Sequence, residues 1–441
     1  MAIFVLLIFL LGDNYFDDVE DSWGDHGDHA VAKEGDLDLD DLDGFLGDFE
    51  PHYEPRSMDD NGWNDLEAIR LICDSSRKRK GIKFCHNRKI WDQHVDMILS
   101  TQGDGGFECR FRMSHDHFMY LVDQIYDGIT VNFLKSRQST RGNDPIYPEI
   151  VAAVGLRFLG PGDSIAVLAD LYGMSISSCK RCINMFLNAI DYNTDCVEMR
   201  VELPDPSDHS ALRNLAQAWS SVSTAFDLFN YNLGCLDGWL PFTEAPDVPN
   251  AADYFSGHYQ SYGLNVQALC DPDLLFLFVA VAAPGKVNDW RAVNRCTGLL
   301  QWLDSLPLEY YSIADNVYSL SCRILVPFEC PELVAAGNLR EFYRTYNYYL
   351  SQLRIRIEMA FGLLTTKWRI FRRRLNYKNN KNSKIIRVAT KLHNFCIRMK
   401  QREGGGRIGT FRDHVNVELT TRRTRLRLAI NSYYYIRGDY E

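Results

Sequence analysis

Apolar residues recur at helical spacing over residues 147–190. Residues 148–159 predict one amphipathic helix, which the Gly-Pro-Gly sequence at 160–162 ends. Ser164 is the expected cap of a short helix to Leu171, and Ser175 of a third helix. The pattern therefore predicts three consecutive helices laid out as a helix-turn-helix.

The third predicted helix has two distinct faces. Its apolar face, which we expect to be buried, consists of Ile176, Cys179, Ile183, Phe186 and Ile190. The opposite face carries hydroxyl, amide and basic groups near the start of the helix, where they would reach phosphates and base edges. The expected DNA contacts are Ser177, Ser178, Lys180, Arg181 and Asn184. A plain three-helix bundle is the alternative, because it has the same periodicity.

Strand patterns predominate after residue 232. Residues 233–240 predict a first strand, the alternating residues 264–268 a second, and residues 274–283, apolar on both faces, a central one. A helix over about 289–303, a strand at 310–314 and a long helix over about 343–366 follow. This order predicts an α/β fold: an RNase H-like mixed sheet flanked by helices and preceded by an all-α region.

Three acidic residues stand in these patterns: Asp237 in the first strand, Asp315 after the fourth, and Glu358 at the edge of the long helix. A carboxylate in apolar surroundings costs several kcal/mol unless it is paired or coordinates a cation. Oxygen ligands brought together from distant positions suit a divalent-metal site for phosphoryl transfer. Each acid taken alone has an ordinary alternative role in a turn, at a strand end or on a helix surface.

Polar residues near the three acids receive mostly structural interpretations. Arg354 precedes Glu358 by one turn and is expected to orient its carboxylate, with a plain surface ion pair as the alternative. Asn288 and Asp289 are expected to cap a helix rather than to bind metal. His258 and His393 are expected to be structural or to face DNA, because a hard divalent site prefers oxygen ligands.

Charge is unevenly distributed along the 441 residues. The net charge is −10, but residues 13–50 alone carry −14, which leaves +4 for the remainder. Such an acidic, repetitive segment cannot bury enough apolar surface to order itself, so residues 1–66 are predicted to be a disordered acidic tail with an apolar amino terminus. Its expected role is solubility or competition with DNA for a basic face. Residues 401–441 are expected to form a basic carboxyl-terminal tail.

Residues 359–402 hold thirteen Lys or Arg and no acid. Phosphates held near a metal site must be neutralised, and this basic run directly follows the Glu358 helix. The expected phosphate contacts are Lys367, Arg369, Arg372, Arg373 and Arg374. An RNA-binding or general polyanion patch is the alternative. A second basic cluster, at residues 77–80, predicts nuclear import or backbone contact, with an ordinary solvated turn as the alternative.

The 12 Cys are scattered in mostly apolar contexts, as expected of reduced thiols in an intracellular protein. Cys179 and Cys182 form the single CxxC motif. Since no second pair stands at zinc spacing, we expect both thiols to be buried in a helix. The apolar first 12 residues are too short to cross a bilayer, so no membrane association is expected.

Six segments, in one order along the chain, resemble the DDE endonuclease domain of Harbinger-type (PIF/Harbinger) transposases. They span residues 235–239, 259–271, 284–289, 314–318, 351–362 and 391–396, within a similarity that covers roughly 225–400. The resemblance implies an Asp-Asp-Glu triad at Asp237, Asp315 and Glu358, which would bind two Mg²⁺ or Mn²⁺ ions. Trp239 and Ala314 stand where the family often has Thr and Gly, and neither departure removes a ligand.

The sequence therefore predicts a nuclear DNA endonuclease and strand transferase. Residues 67–200 would be its helical DNA-binding region and residues 225–400 its RNase H-like domain. The alternative is a domesticated nuclear DNA-binding protein that keeps the fold without transposing. The resemblance also implies a separate Myb-like partner protein, and a homo-oligomer is compatible with it.

Overall fold

The computed structural model describes residues 88–131, 145–224 and 228–404. All of them belong to one compact unit, Arg79–Glu441, which has a mixed α/β composition as predicted. Three predictions lie outside the described residues: the acidic tail at 1–66, the basic cluster at 77–80 and nearly all of the carboxyl-terminal tail. Within the described ranges, no helix combines the length and apolar character needed to cross a membrane.

The described residues that precede the sheet fold into helices. In chain order these are α1 (Trp91–Phe111), α2 (His115–Gln124), α3 (Tyr126–Ile129), α4 (Pro148–Leu159), α5 (Ile165–Leu171), α6 (Ile176–Asp191) and α7 (His209–Val222). Helices α4 to α6 have the predicted bounds. Ser164 and Ser175 cap α5 and α6, because each hydroxyl accepts a hydrogen bond from the amide three residues later.

The buried face of α6 differs from the predicted face at its first residue. Ile176 is 52% exposed, because it begins the helix and the packed core starts one turn later. Cys179 and Cys182 are both buried, as predicted, and burial raises the pKa of their thiols to about 11 and about 12. These cysteines therefore stay protonated and pack as small apolar side chains.

A five-stranded mixed sheet forms the second part of the structure. Its strands are β1 (Asn232–Trp239), β4 (Leu264–Cys270), β5 (Phe276–Pro284), β6 (Tyr311–Ile313) and β7 (Ile324–Leu325), and a separate two-stranded hairpin consists of β2 (Phe255–Ser256) and β3 (Ser261–Tyr262). The order in the sheet is β5-β4-β1-β6-β7. Strand β1 runs antiparallel to β4 and parallel to β6, so it lies at the centre.

Strand β5 lies at the sheet edge, so its prediction as a central strand is wrong. Its sequence is apolar on both faces because both faces are covered. Val279 and Val281 pack against the larger hydrophobic core, and Phe278 and Ala280 against the smaller one. A two-sided apolar strand thus indicates covered faces rather than a central position.

Five helices accompany the sheet: α8 (Asp289–Val293), α9 (Thr297–Ser305), α10 (Cys330–Ala335), α11 (Arg340–Lys367) and α12 (Asn379–Arg402). The single helix predicted over 289–303 is two helices, because the Cys296 amide bonds to the Val293 carbonyl in a turn that ends the first. Helix α11, predicted over about 343–366, buries a stripe of Leu350, Leu353, Ile357, Ala360 and Leu364.

Helix α12 fastens the helical region to the sheet. Arg387 forms a bidentate ion pair with Asp191, at 2.9 and 2.6 Å. The Lys391 ammonium donates to the carbonyls of Ile190, Asp191 and Asn193, at the carboxyl end of α6. The last carbonyls of a helix have few intrahelical partners, and a cation suits the negative end of a helix dipole. The two parts therefore share one continuous core.

Candidate active site

The sheet topology places two of the predicted acids at one end of neighbouring strands. Cys235 of β1 pairs with Ile313 of β6, and these strands are parallel. Asp237 lies two residues beyond Cys235, and Asp315 lies two residues beyond Ile313. Because parallel strands advance together from a shared pair, both carboxylates emerge at the same edge of the sheet.

Glu358 comes to the same place on α11, which packs against β1: the Cys235 thiol lies 3.5 Å from the Arg354 carbonyl. Arg354 Nη1 is 2.8 Å from Glu358 Oε1 and 3.7 Å from Asp237 Oδ2. All three side chains are roughly three-quarters buried. The structure thus brings Asp237 and Glu358 together on either side of the Arg354 guanidinium.

The pKa of Asp237 responds to the other two acids. Burial, together with the charges of Asp315 and Glu358, raises this pKa to about 7, against the opposing effects of the Gly238 amide and Arg354. Burial lowers the pKa of Arg354, but Glu358, Asp315 and Asp237 outweigh burial and raise it overall. A cation is therefore favoured at this position.

The donor set suits a hard divalent cation, since every acidic ligand offers oxygen. Asp237 Oδ1 and Asp315 Oδ1 each accept a hydrogen bond of 2.8 Å from the amide of the following residue, and the second oxygen of each carries no such bond. No three His, Cys, Asp or Glu side chains among the described residues converge closely enough to hold a metal ion. Arg354 occupies the space between Asp237 and Glu358 instead.

Asp289 is a fourth carboxylate that the sequence analysis assigned only to a helix cap. Asn288 alone makes that cap, by accepting from the Arg291 amide. Asp289 Oδ1 accepts hydrogen bonds of 2.9 Å from Asn265 and Gln267 of β4. A Cβ at Gly238 would lie 2.2 Å from that oxygen, so Asp289 presses against the residue after Asp237.

The sequence of strand β4 already indicated a polar contact at this position. Asn265 and Gln267 are amide side chains within a wholly buried strand, and a buried amide requires hydrogen-bond partners. Gln267 also accepts a 2.7 Å bond from Tyr318, whose pKa is raised by burial and by Asp289, Asp237 and Asp315. A polar layer therefore supports the acidic cluster from the β4 side.

The two histidines that the sequence singled out lie in different surroundings. His393 is buried, with Nε2 2.8 Å from the Leu274 carbonyl, and burial lowers its pKa to about 4. It is structural, one of its two predicted roles. His258 is exposed and contacts the Tyr259 ring edge-on.

The predicted DNA contacts on α6 divide into exposed and engaged side chains. Ser177 and Arg181 are exposed, and Lys180 is half-buried. Ser178 is hydrogen-bonded to the Ser175 hydroxyl at 3.0 Å, and Asn184 accepts a 3.1 Å bond from Lys381 of α12. Asn184 therefore already serves the contact between α6 and α12.

The basic run after α11 lies beside the acidic cluster. Arg372, Arg373 and Arg374 are exposed, whereas Lys367 and Arg369 are half-buried. The Phe371 ring contacts Trp239 with their centroids 5.0 Å apart, and Trp239 lies two residues beyond Asp237 on β1. Trp368 and Phe371 are buried, whereas the three arginines that follow them are exposed.

Comparison with known proteins finds similarities for the part of the chain that carries Asp237, Asp315 and Glu358. Residues 236–394 match the family model of the DDE superfamily endonuclease. Over 327 residues the chain is 23% identical to "Protein ALP1-like" of Arabidopsis thaliana, covering 70% of this chain and 75% of that one. It is 24% identical over 336 residues to "Putative nuclease HARBI1" of Rattus norvegicus, covering 74% and 85%. No solved structure matches the chain.

Proposed function

We propose that the protein is a metal-dependent DNA endonuclease and transposase, because residues 236–394 match the family model of the DDE superfamily endonuclease and the chain is similar to a protein named a putative nuclease, in agreement with the predicted Harbinger-type resemblance. Asp237, Asp315 and Glu358 would be its catalytic metal ligands. The observation that carries this proposal is the placement of the three acids: Asp237 and Asp315 follow neighbouring parallel strands at one edge of the sheet, and Arg354 contacts both Asp237 and Glu358. Strand order β5-β4-β1-β6-β7, three antiparallel strands followed by two parallel ones, supports the RNase H-like assignment.

The three carboxylates would bind two Mg²⁺ or Mn²⁺ ions, which when bound would activate a water or a DNA 3′-hydroxyl and stabilise the leaving oxygen. The chain's own residues have separate tasks. The Gly238 and Asn316 amides fix one oxygen of Asp237 and one of Asp315, and the other oxygen of each carboxylate accepts no such bond and would be the one to bind a metal ion. Arg354 holds Glu358 in place. Asp289 adds a fourth oxygen donor beside Gly238, which extends the proposed ligand set.

The helical region and the basic run would bind the DNA. Ser177 and Arg181 on α6 and the exposed Arg372–Arg374 face solvent, as phosphate contacts require. Helices α4 to α6 would act as the helix-turn-helix, with Lys180 beside Arg181. Nuclear localisation, a Myb-like partner protein and assembly into a homo-oligomer belong to the same proposal.

A second candidate function is DNA binding without cleavage, as in a domesticated protein. Arg354 favours it, because its guanidinium already lies 3.7 Å from Asp237 and 2.8 Å from Glu358 and balances part of their negative charge. Such a protein would keep the fold and the basic surfaces. The two functions differ in one respect. In the nuclease, Asp237 and Glu358 must bind divalent ions although Arg354 also contacts them, whereas in the DNA-binding protein they need not bind metal.

Nicking of supercoiled plasmid in Mg²⁺, in Mn²⁺ and in excess EDTA distinguishes the two candidates. The nuclease should convert plasmid to open circles with either ion, and Asp237→Asn should abolish the conversion because it removes ligand charge but little volume. Asp304→Asn, the same change at an exposed residue of α9, is the matched control and should cleave normally. Full cleavage by purified Asp237→Asn would sink the metal-ligand assignment, and no cleavage by the wild type would favour DNA binding alone.

A further inference from the structure

Two arginines from distant parts of the chain flank the turn between α4 and α5. Arg112 ends α1 with a positive φ of 66°, and its amide bonds to the Glu108 carbonyl. A Cβ at Gly160 would lie 2.7 Å from Arg112 Cγ. On the other side, the Arg369 amide donates a 2.8 Å hydrogen bond to the Gly160 carbonyl. The close approach of Arg112 therefore requires glycine at position 160.

Neither guanidinium is fully satisfied by the protein. The Nε atoms of Arg112 and Arg369 are buried and have no hydrogen-bond partner among the described residues. A nearby acid, Asp163, is already engaged by Arg157, with distances of 2.7 Å from Nε and 2.6 Å from Nη2. Arg112 through its side chain and Arg369 through its backbone amide thus both contact Gly160, and each arginine has a buried Nε without an acceptor among the described residues.

The charges around this turn are mostly positive. Burial lowers the pKa of Arg112, and the like charges of Arg369 and Arg372 lower it further, against a smaller opposing effect of Asp163. Half-buried charges of one sign, with donors unmet, destabilise a protein unless a ligand compensates them. The planar guanidinium donates in parallel pairs, and this geometry matches phosphate oxygens.

The pair also lies close to the acidic cluster. Arg369 begins the 3₁₀ helix Arg369–Arg372, whose Phe371 contacts Trp239 of β1, two residues beyond Asp237. The segment continues along the same strand connection, where the Leu375 amide bonds to the Phe242 carbonyl at 2.8 Å. The contact between Phe371 and Trp239 therefore links the segment of Arg369 to the strand that carries Asp237.

We infer that Arg112 and Arg369 together clamp one backbone phosphate of the DNA that the acidic cluster holds. This inference rests on the proposed function for its ligand, and it joins α1 of the helical region to the endonuclease domain in one binding site. Phosphate clamping is independent of base sequence, so the pair would fix the position of DNA rather than select it.

The test measures binding of a random-sequence 25-base-pair duplex by fluorescence anisotropy in EDTA, across a salt series. Arg112→Gln and Arg369→Gln should each weaken binding about tenfold, as expected for loss of a charged hydrogen-bonding group. Each should also reduce the slope of log K against log salt by about one. The double variant should lose little more than either single variant, because the two arginines share one phosphate.

Two further variants keep the test decisive. Arg110→Gln removes the same charge two residues from Arg112, but Arg110 already donates to Gln102 and to the Gly106 carbonyl, so it should change affinity by only about twofold. Arg369→Lys keeps the charge but loses the planar fork, and should bind between wild type and Arg369→Gln. This lysine variant serves if a glutamine variant fails to fold.

The failures of the inference and of the proposed function are distinguishable. Wild-type affinity and salt slope in the folded glutamine variants would overturn the clamp and leave metal-dependent cleavage untouched. Additive losses in the double variant would also overturn it, because they would mean two separate phosphates. If the wild type binds DNA through this pair but never cleaves it, the clamp stands and the nuclease assignment falls.

Discussion

The carboxylate cluster and the arginine pair are both half-buried and charged, but they differ in what balances their charge. Asp237 and Glu358 lie against the guanidinium of Arg354, which belongs to the protein. Arg112 and Arg369 have a carboxylate in their neighbourhood, Asp163, but Arg157 already engages it. One cluster therefore contains its own counter-ion and the other does not.

This difference indicates how each site would meet a ligand. A metal ion arriving at the carboxylates must compete with or displace Arg354, so binding there exchanges one cation for another. A phosphate arriving at the arginines displaces only water and mobile ions, so its binding should depend steeply on salt. Substitutions at the two sites should consequently separate chemistry from affinity.

The largest expected effect is loss of cleavage on Asp315→Asn. Removing a metal ligand should slow single-turnover cleavage at saturating DNA by about 10³-fold, because metal-assisted charge stabilisation contributes several kcal/mol. DNA affinity in EDTA should stay within about twofold of wild type.

Arg112→Gln should show the reverse, with weakened binding and a wild-type cleavage rate at saturation. If both variants lost cleavage rate and DNA affinity together, the two sites would not have separate functions.

Arg354→Gln should have the next largest effect. It frees Glu358 from its 2.8 Å partner, and loss of an orienting residue behind a ligand typically costs about 10- to 100-fold in activity. Arg354→Lys should restore part of the rate, since it restores charge but not the planar fork. Cleavage by Arg354→Gln that exceeds the wild type would show that Arg354 only competes with the metal.

Asp237 predicts a pH dependence of stability in metal-free buffer. Its folded pKa of about 7 lies above its ordinary value of 3.8, so the folded state binds an extra proton between these values. The free energy of unfolding contributed by this group should therefore fall as pH rises from about 4 to 7. In chemical denaturation, the free energy of unfolding of Asp237→Asn should not show this decline. At pH 8 it should exceed that of the wild type by on the order of a few kcal/mol. Parallel profiles for both proteins would contradict the raised pKa.

The smallest expected effect is a rise in melting temperature on Arg112→Gln. Removing one of two like charges should stabilise the protein in phosphate-free buffer by about 2 °C, an increment typical of a sub-kcal/mol gain in a domain of this size. Added inorganic phosphate should raise the melting temperature of the wild type more than that of the variant. A lower melting temperature would assign Arg112 a structural role.

Local patterns predicted the elements of this fold well. Helices α4 to α6 and their Ser164 and Ser175 caps followed from periodicity and capping chemistry, which depend on neighbouring residues only. The position of β5 in the sheet could not be predicted in this way. Apolar residues on both faces of a strand show that both faces are covered, but they do not show where the strand lies in the sheet. The turn that divides α8 from α9 was also missed, since no Pro or Gly stands at residues 294–296.

Predictions of the site depended on contacts across the chain. The sequence singled out Asp237, Asp315 and Glu358 and the neighbouring Arg354, and their catalytic roles stay predictions. It did not find Asp289 beside Gly238, because that contact depends on the hydrogen bonds from β4. Nor did it find Arg112. Arg112 and Arg369 are some 250 residues apart in sequence, and they come near each other only when the turn at Gly160 is folded.

Helix α12 also determines when the amino-terminal helices can complete their folding during synthesis. The end of α6 receives its donors from Lys391, about 200 residues later in synthesis. At about 5–20 residues per second, roughly 10–40 s pass before that lysine is made. During this interval the helices at the amino end lack their final anchor and keep apolar surface exposed. A transcript that stops before α12 should therefore yield a chaperone-dependent, protease-sensitive product rather than a free-standing DNA-binding fragment.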